Sequence, residues 1–309
     1  MSSYQPPPYR HLSRYLRERF GGPVFRVPLE GGFTCPNRDG RIAFGGCLFC
    51  DSGGSAARPE RRGMPIRDQM EKGMEWLRSR FGAEKFLAYF QSFTNTYAPP
   101  DRLRELYDSA LVHPDVIGLC IGTRPDCVPG PVLDLLESYR DRRYVLVEMG
   151  LESVRDQTLD SMNRGHTVEQ FRDAVRRTRG RGLEVCAHII LGFPGEGRRE
   201  AVQAAREFNL LQVEGVKVHL LHVLRDSPLE RIHRRGALPL LERRKYVSLV
   251  VDFLERLRPD TVIHRLTGEA PPSRLIAPLW CLDKQGVLRE IKMEMKRRGT
   301  WQGKQFQMA

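Results

Sequence analysis

A chain of 309 residues with 40% hydrophobic content can form one large domain or two modest ones around an ordinary core. No stretch approaches the roughly 18 uninterrupted apolar residues of a membrane helix, and the opening Met1-Ser-Ser-Tyr-Gln-Pro-Pro-Pro-Tyr-Arg10 lacks the apolar centre of a signal peptide, so no membrane association is expected. Fifty Lys plus Arg against 38 Asp plus Glu give a net charge of +12, which favours polyanionic partners such as RNA, and seven Cys without framework spacing argue for a reducing compartment, the cytoplasm.

Tyr9 to Phe20 reads as a basic amphipathic helix that Gly21-Gly22 would end. From residue 24 to about 235, apolar runs of strand length alternate with amphipathic segments, the pattern of a parallel sheet built from strand–helix units. Six strands are predicted, at Val24 to Leu29, Lys85 to Phe90, Val116 to Ile121, Tyr144 to Gly150, Glu184 to Leu191 and Val216 to His222. Helices are predicted at Ile66 to Phe81, Asp101 to Val112, Pro131 to Arg140, Val168 to Arg179 and Arg199 to Gln212. Six units are too few for the closed eight-fold barrel, so the expected α/β fold is a partial (β/α)6 TIM-like barrel.

After the barrel come a helix near Leu240 to Leu257, an apolar strand at Thr261 to Leu266 and a terminal helix near Asp283 to Arg298, punctuated by Arg258-Pro-Asp260 and Glu269-Ala-Pro-Pro-Ser273. The expected organisation is an N-terminal basic helix over 1–23, the barrel over 24–235 and a small C-terminal α/β cap over 236–309. Basic runs at Arg172 to Arg181, Arg231 to Arg235, Arg243-Arg-Lys245 and Lys292 to Arg298 read either as solvated helix faces or as faces for nucleic acid.

The most informative segment is Phe33-Thr-Cys35-Pro-Asn-Arg-Asp-Gly-Arg-Ile-Ala-Phe-Gly-Gly-Cys47-Leu-Phe-Cys50-Asp51. A cubane iron–sulfur cluster is normally held by four Cys, so three thiolates without a fourth leave one metal position open for a substrate or cofactor. A structural zinc knuckle would need a fourth Cys or His at short spacing, and none follows Cys50 nearby. A thioredoxin-type pair at Cys47 and Cys50 would cap a helix after a strand, whereas here glycines precede the pair and a third Cys leads it.

Cys35, eleven residues, Cys47, two residues, Cys50, with Phe49 between the last two, resembles the cluster motif of radical S-adenosylmethionine (SAM) enzymes, and the long first gap resembles the Elongator-catalytic-subunit-like branch. Gly32-Phe-Thr-Cys-Pro-Asn-Arg-Asp-Gly40, Tyr89-Phe-Gln-Ser-Phe-Thr-Asn-Thr-Tyr97, Thr123-Arg-Pro-Asp126 and His264-Arg-Leu-Thr-Gly268 resemble a small bacterial radical SAM family over nearly the whole chain. The resemblance implies a [4Fe–4S] cluster on Cys35, Cys47 and Cys50, SAM as cofactor, a 5′-deoxyadenosyl radical, and an electron donor such as flavodoxin or ferredoxin, which the basic charge would also attract.

In parallel β/α architectures reactive groups gather past the C-terminal strand ends. There lie the three Cys, Gln91-Ser-Phe-Thr94, Thr123-Arg124, Glu152-Ser153, His188 with Gly192-Phe-Pro-Gly195, and His219 and His222. The Gln91 to Thr94 stretch, Thr123 and His188 are candidate SAM contacts, though His188 reads equally as a satisfied buried histidine. By resemblance to coproporphyrinogen-oxidising enzymes, Glu152 would contact the ribose and Arg164 the methionine carboxylate; Asn163-Arg-Gly165 is also an ordinary helix stop. The glycines of Gly192 to Gly195 would let backbone approach adenine. Cys120, Cys127, Cys186 and Cys281 read as small apolar residues, Cys127 alone being placed to serve as a radical partner.

The expected function is a radical SAM enzyme. Resemblance to the Elongator-like branch, with the basic surface, implies tRNA as substrate at the C5 side chain of a wobble uridine, where trimming a carboxymethylaminomethyl group toward aminomethyl would suit radical chemistry. His264, Arg265 and Arg274 would then join the basic runs in one charged surface beside the mouth. The alternatives are a radical SAM oxidoreductase acting on a small, tetrapyrrole-like metabolite in a deep apolar pocket, and a non-catalytic metal-bearing RNA-binding module.

Overall fold

The computed structural model describes residues 7–54, 63–268 and 270–307. Residues 1–6 of the opening segment and Glu269 of the punctuating run lie outside the described residues. In chain order the elements are α1 (Leu12–Phe20), β1 (Val24–Leu29), α2 (Ile66–Phe81), β2 (Lys85–Phe90), α3 (Pro100–Ala110), β3 (Val116–Thr123), α4 (Gly130–Arg140), β4 (Tyr144–Glu152), α5 (Asp156–Ser161) and α6 (Val168–Gly180). They continue with β5 (Glu184–Leu191), α7 (Arg198–Leu210), β6 (Gly215–Leu220), β7 (Val223–Leu224), α8 (Pro228–Arg234), α9 (Arg243–Arg256), β8 (Val262–Arg265), β9 (Leu275–Ala277) and α10 (Lys284–Arg297).

One curled parallel sheet runs in the order β1-β2-β3-β4-β5-β6-β8, with each neighbouring pair in parallel register, so the α/β fold is a half-barrel. The sheet therefore holds seven strands, one more than the six predicted: the strand expected in the cap, β8, pairs with β6 through Gly215–Val262 and Val216–Ile263. Period-2 alternation cannot tell which sheet a short apolar run will join; the pairing is decided by where α9, packed against α7 and α10, returns the chain.

Burial follows the strand alternation. One face packs on the helices through residues such as Phe86, Ala88, Phe90, Leu119 and Val147, while the other faces the lumen. At the closed end of the lumen, Leu16 of α1 packs with Leu87, Cys120, Tyr144, Leu146 and Cys186. The N-terminal helix thus plugs the barrel, and Arg19 is spent on this joint, pairing with Glu184 and lying 4.8 Å over the Tyr144 ring. Much of the basic run on α6 is also structural: Arg172 pairs with Glu207 at 2.7 Å, Arg177 with Asp173 at 2.7 Å, Arg179 with Glu214 at 2.9 Å and Arg181 with Asp134 at 2.5 Å. Among the described residues no helix is long and apolar enough to cross a membrane.

Candidate active site

At the open end, the chain leaves β1 as a loop that carries Cys35, Cys47 and Cys50; the first two are buried and the third partly so. The loop is fixed by its own backbone. Arg38 and Asp39 N–H groups donate to the Cys35 carbonyl at 2.8 and 3.2 Å, Gly46 N–H donates to Asn37 O at 2.8 Å, and Cys50 N–H donates to Cys47 O at 3.0 Å. Gly45 and Gly46 sit at φ 80° and 81°, a region L side chains rarely enter, which is why glycines precede Cys47. Docking is equally specific: Leu48 N–H donates to Met162 O at 3.0 Å, Leu229 N–H to Leu48 O at 3.1 Å, and Asn163 Nδ2 to Gly46 O at 2.8 Å. Asp51 is tied to Arg274 at 3.1 Å.

The three thiols line one cavity of about 220 Å³ together with Gln91, Thr94, Thr123, Glu152, Arg164 and His188, so every predicted site residue meets in one place. The thiols have cationic and amide donors beside them: Asn37 Nδ2 is 3.6 Å and Arg164 Nη1 3.7 Å from Cys47 Sγ. Burial and neighbouring Cys47 push the Cys50 thiol up to about 11, so its thiolate needs a bound metal to persist. Cys120 and Cys186 are buried in the lumen and Cys281 in the C-terminal core, and Cys127 is buried beneath the site with its thiol pushed up to about 12 by burial. Among the described residues no fourth cysteine lines the cavity, and this donor set fits a cluster held by three thiolates with one open position.

Glu152 and Arg164 are brought face to face at 3.4 Å by a distortion at the end of β4. The β4–β5 register shifts between Gly150 and Glu152, and Glu152 adopts φ 68°, rare for a residue with a side chain. Arg164 is not a helix cap: it turns inward, donating from Nη2 to Gly150 O at 3.0 Å, and its Nε is buried without a partner. A Cβ on Gly150 would lie 1.9 Å from Glu152 Oε1 and 2.7 Å from Arg164 Nη2, so a side chain there would displace the ends of this pair.

Thr94 is buried with its N–H on Thr34 O at 3.2 Å, and Thr123 shares a hydroxyl hydrogen bond with Thr96. Thr123-Arg-Pro-Asp126 gains a physical explanation, since Arg124 is bidentate to Asp126 at 2.9 and 3.0 Å and its buried Nη1 has no partner. Phe49 packs on Phe193 of the Gly192-to-Gly195 loop, centroids 5.9 Å apart, so the aromatic of the cysteine motif braces that loop.

Sequence reasoning missed the floor of the cavity. Glu148, fully buried, accepts from Tyr89 Oη at 2.8 Å, Arg26 Nη1 at 3.1 Å and Lys217 Nζ, while Arg26 Nη2 is 2.9 Å from His264 Nδ1. Burial alone would raise the Glu148 carboxyl, but Lys217 and Arg26 hold it well below the usual range. His188 points into the lumen, its Nε2 3.5 Å from Glu148 Oε2. The surface expected beside the mouth is therefore corrected: the His264 side chain is only 2% exposed, Arg265 lines the cavity and Arg274 is paired with Asp51. Glu148, Cys186 and His188 offer three donor atoms within 4.8 Å of one another, but Glu148 is already committed to three cation and phenol partners.

Burial lowers the pKa of His188, His219 and His264, and takes His222 down to about 4. Unfolded imidazoles take up protons near pH 6.5, so between that value and about 4 the unfolded state binds more protons and stability falls as pH drops. Urea unfolding of the apoprotein is expected to show a loss between pH 7 and pH 4.5 to which His222 alone contributes on the order of 2–3 kcal/mol; an unchanged midpoint would mean these histidines are not held neutral.

The half-barrel thus carries three thiols at its open end and an acid–guanidinium pair across the mouth. Residues 35–208 match the Radical SAM superfamily and residues 213–297 the Radical_SAM C-terminal domain, and the chain belongs to that superfamily. It is 42% identical over 299 residues to an uncharacterized protein of Bacillus subtilis, YtqA, covering 97% of this chain and 93% of that protein, and 36% identical over 286 residues to Escherichia coli YhcC, covering 92% and 91%.

Human Elongator complex protein 3 is 28% identical over 181 residues, 57% of this chain and 32% of that protein. Methanocaldococcus infernus Elp3 shares the fold with a TM-score of 0.69 at 17% identity; the match covers 90% of this chain and 64% of the archaeal one. The chain is thus a radical SAM enzyme with partial similarity to Elongator complex protein 3, and the cofactors of its superfamily are a [4Fe–4S] cluster and SAM. Such enzymes need an electron donor.

Proposed function

We propose that Cys35, Cys47 and Cys50 hold the cluster, that Arg164 binds the methionine carboxylate of SAM and Glu152 its ribose, with Gln91, Thr94, Thr123 and His188 lining the remainder, and that the enzyme modifies the C5 side chain of a tRNA wobble uridine. The observation that carries this reading is the convergence of the three thiols and the Glu152–Arg164 pair on one cavity whose rim and floor hold Arg38, Arg124, Lys217 and Arg265. The cluster and SAM, when bound, supply the 5′-deoxyadenosyl radical. The protein supplies orientation: Arg164 offers a planar fork for a carboxylate, Glu152 accepts from a diol, and the loop docked on Met162 and Leu229 holds the thiols in place.

Similarity to Elongator complex protein 3 and the +12 charge support a nucleic-acid substrate. The cationic lining disfavours the small-metabolite alternative, which needs a deep apolar pocket. After anaerobic reconstitution and reduction, bulk tRNA from cells lacking the enzyme should stimulate 5′-deoxyadenosine release, and binding should weaken steeply as salt rises. Release indifferent to tRNA would remove the tRNA reading. Glu152→Ala should weaken SAM binding about 10- to 100-fold with iron content unchanged, as expected for losing a charged hydrogen-bond acceptor; unchanged SAM affinity would remove its assigned role.

A further inference from the structure

The lumen carries more fixed positive charge than its carboxylates can match. Glu148 is fully engaged by Arg26, Tyr89 and Lys217. Glu152 faces Arg164, Asp126 is bidentate with Arg124, and Asp51 at the loop is held by Arg274. Arg265 is left over. It ends β8 in register with Lys217 and lines the cavity, yet its guanidinium makes no hydrogen bond or ion pair with any described residue.

Its polar neighbours do not neutralise it. His219 and His222 line the same wall and burial keeps both uncharged, and the Nδ1 of His222 is buried without a hydrogen-bond partner. The Tyr89 phenol is held protonated by burial and Glu148. An arginine cannot shed its charge, and among the described residues no carboxylate compensates this half-buried guanidinium, so an arriving anion would be its counter-charge. Its planar fork matches a carboxylate in two-point contact.

We propose that Arg265, with His222 beside it, is the receptor for a carboxylate carried by the substrate, which makes it the residue that selects a C5 side chain ending in a carboxylate. This rests on the assignment of the cavity to a wobble-uridine substrate. Two other anions could use the same chemistry, the methionine carboxylate of SAM and an RNA phosphate, and the test separates them.

The probes are 5-(carboxymethylaminomethyl)uridine and its carboxamide, offered as free nucleosides to the reconstituted, SAM-loaded holoenzyme, and tRNA with and without that modification. Wild type is expected to prefer the carboxylate nucleoside over the carboxamide by about 10- to 100-fold, the range of a charge-assisted pair. Arg265→Gln should abolish the preference and Arg265→Lys should restore part of it, with iron content and SAM affinity unchanged in both.

Wild type without preference, or Arg265→Gln retaining it, overturns the proposal. Loss of SAM affinity in Arg265→Gln also overturns it, assigning the guanidinium to the cofactor, while equal loss of affinity for both tRNAs with nucleoside preference intact assigns it to phosphate. Nucleoside preference abolished by Arg265→Gln, with tRNA binding absent in wild type, upholds the carboxylate receptor and rejects the tRNA reading alone.

Discussion

Alanine at Cys35, Cys47 or Cys50 is expected to take bound iron after anaerobic reconstitution from roughly four per chain to near zero and 5′-deoxyadenosine formation to background. The effect should be this large because no spare thiol stands by. Cys120 and Cys186 are sealed in the lumen against α1, Cys281 lies in the C-terminal core, and Cys127 is buried with its proton held by a pKa near 12. Cys127→Ala is therefore the matched control and should retain its iron. Iron quantitation with the visible absorption of the cluster reads both; a single-cysteine variant of the motif that keeps a full complement would mean that the ligands lie elsewhere.

Glu148→Gln is expected to destabilise the fold by about 3–5 kcal/mol, the range for breaking a buried ion pair by removing one partner. Glu148 is fully buried and is the single carboxylate held by Lys217 and Arg26, so its loss leaves two cations in the lumen without their counter-charge. Burial takes the Lys217 ammonium down to about 8 even with Glu148 beside it; without the carboxylate it would fall further and shed its proton near neutral pH. Pairing Glu148→Gln with Lys217→Met should recover part of the loss, because the second change removes the buried amine that has lost its carboxylate partner. Urea unfolding of the apoproteins measures this, and a single variant as stable as wild type would show that the network contributes no net stability.

The strands of the half-barrel were legible because their apolar runs are bounded by turn residues, and the predicted limits of β1, β2 and β5 coincide with those observed. The cysteine loop was legible for a chemical reason, since three thiols at this spacing have few other uses. What escaped notice was polar residues inside strands. Arg26 in Val-Phe-Arg-Val, Glu148 in Val-Leu-Val-Glu-Met and Lys217 in Gly-Val-Lys-Val-His each occupy a lumen-facing position, and alternation alone assigns such residues to solvent. The available signal was coincidence: the neighbouring strands β4, β5 and β6 carry Glu148, His188 and Lys217 at inward positions of similar height, which marks a wet interior.

The basic run on α6 was legible only as charge, for the complementary reason. Composition counts charges but not their partners, and Arg172, Arg177, Arg179 and Arg181 each face a carboxylate across or along α6. Gly150 shows a third kind of illegibility. Its role lies in the space left for Glu152 and Arg164, which no local pattern records.

The most direct test of the central claim, that three thiolates leave a position open to SAM, is the electron paramagnetic resonance spectrum of the reduced, reconstituted enzyme with and without SAM labelled with ¹⁵N at the amino group. The account predicts a cluster signal that changes on adding SAM and acquires coupling to the labelled nitrogen. A signal that SAM leaves unchanged, in protein shown to carry its full iron, would contradict an open position at Cys35, Cys47 and Cys50.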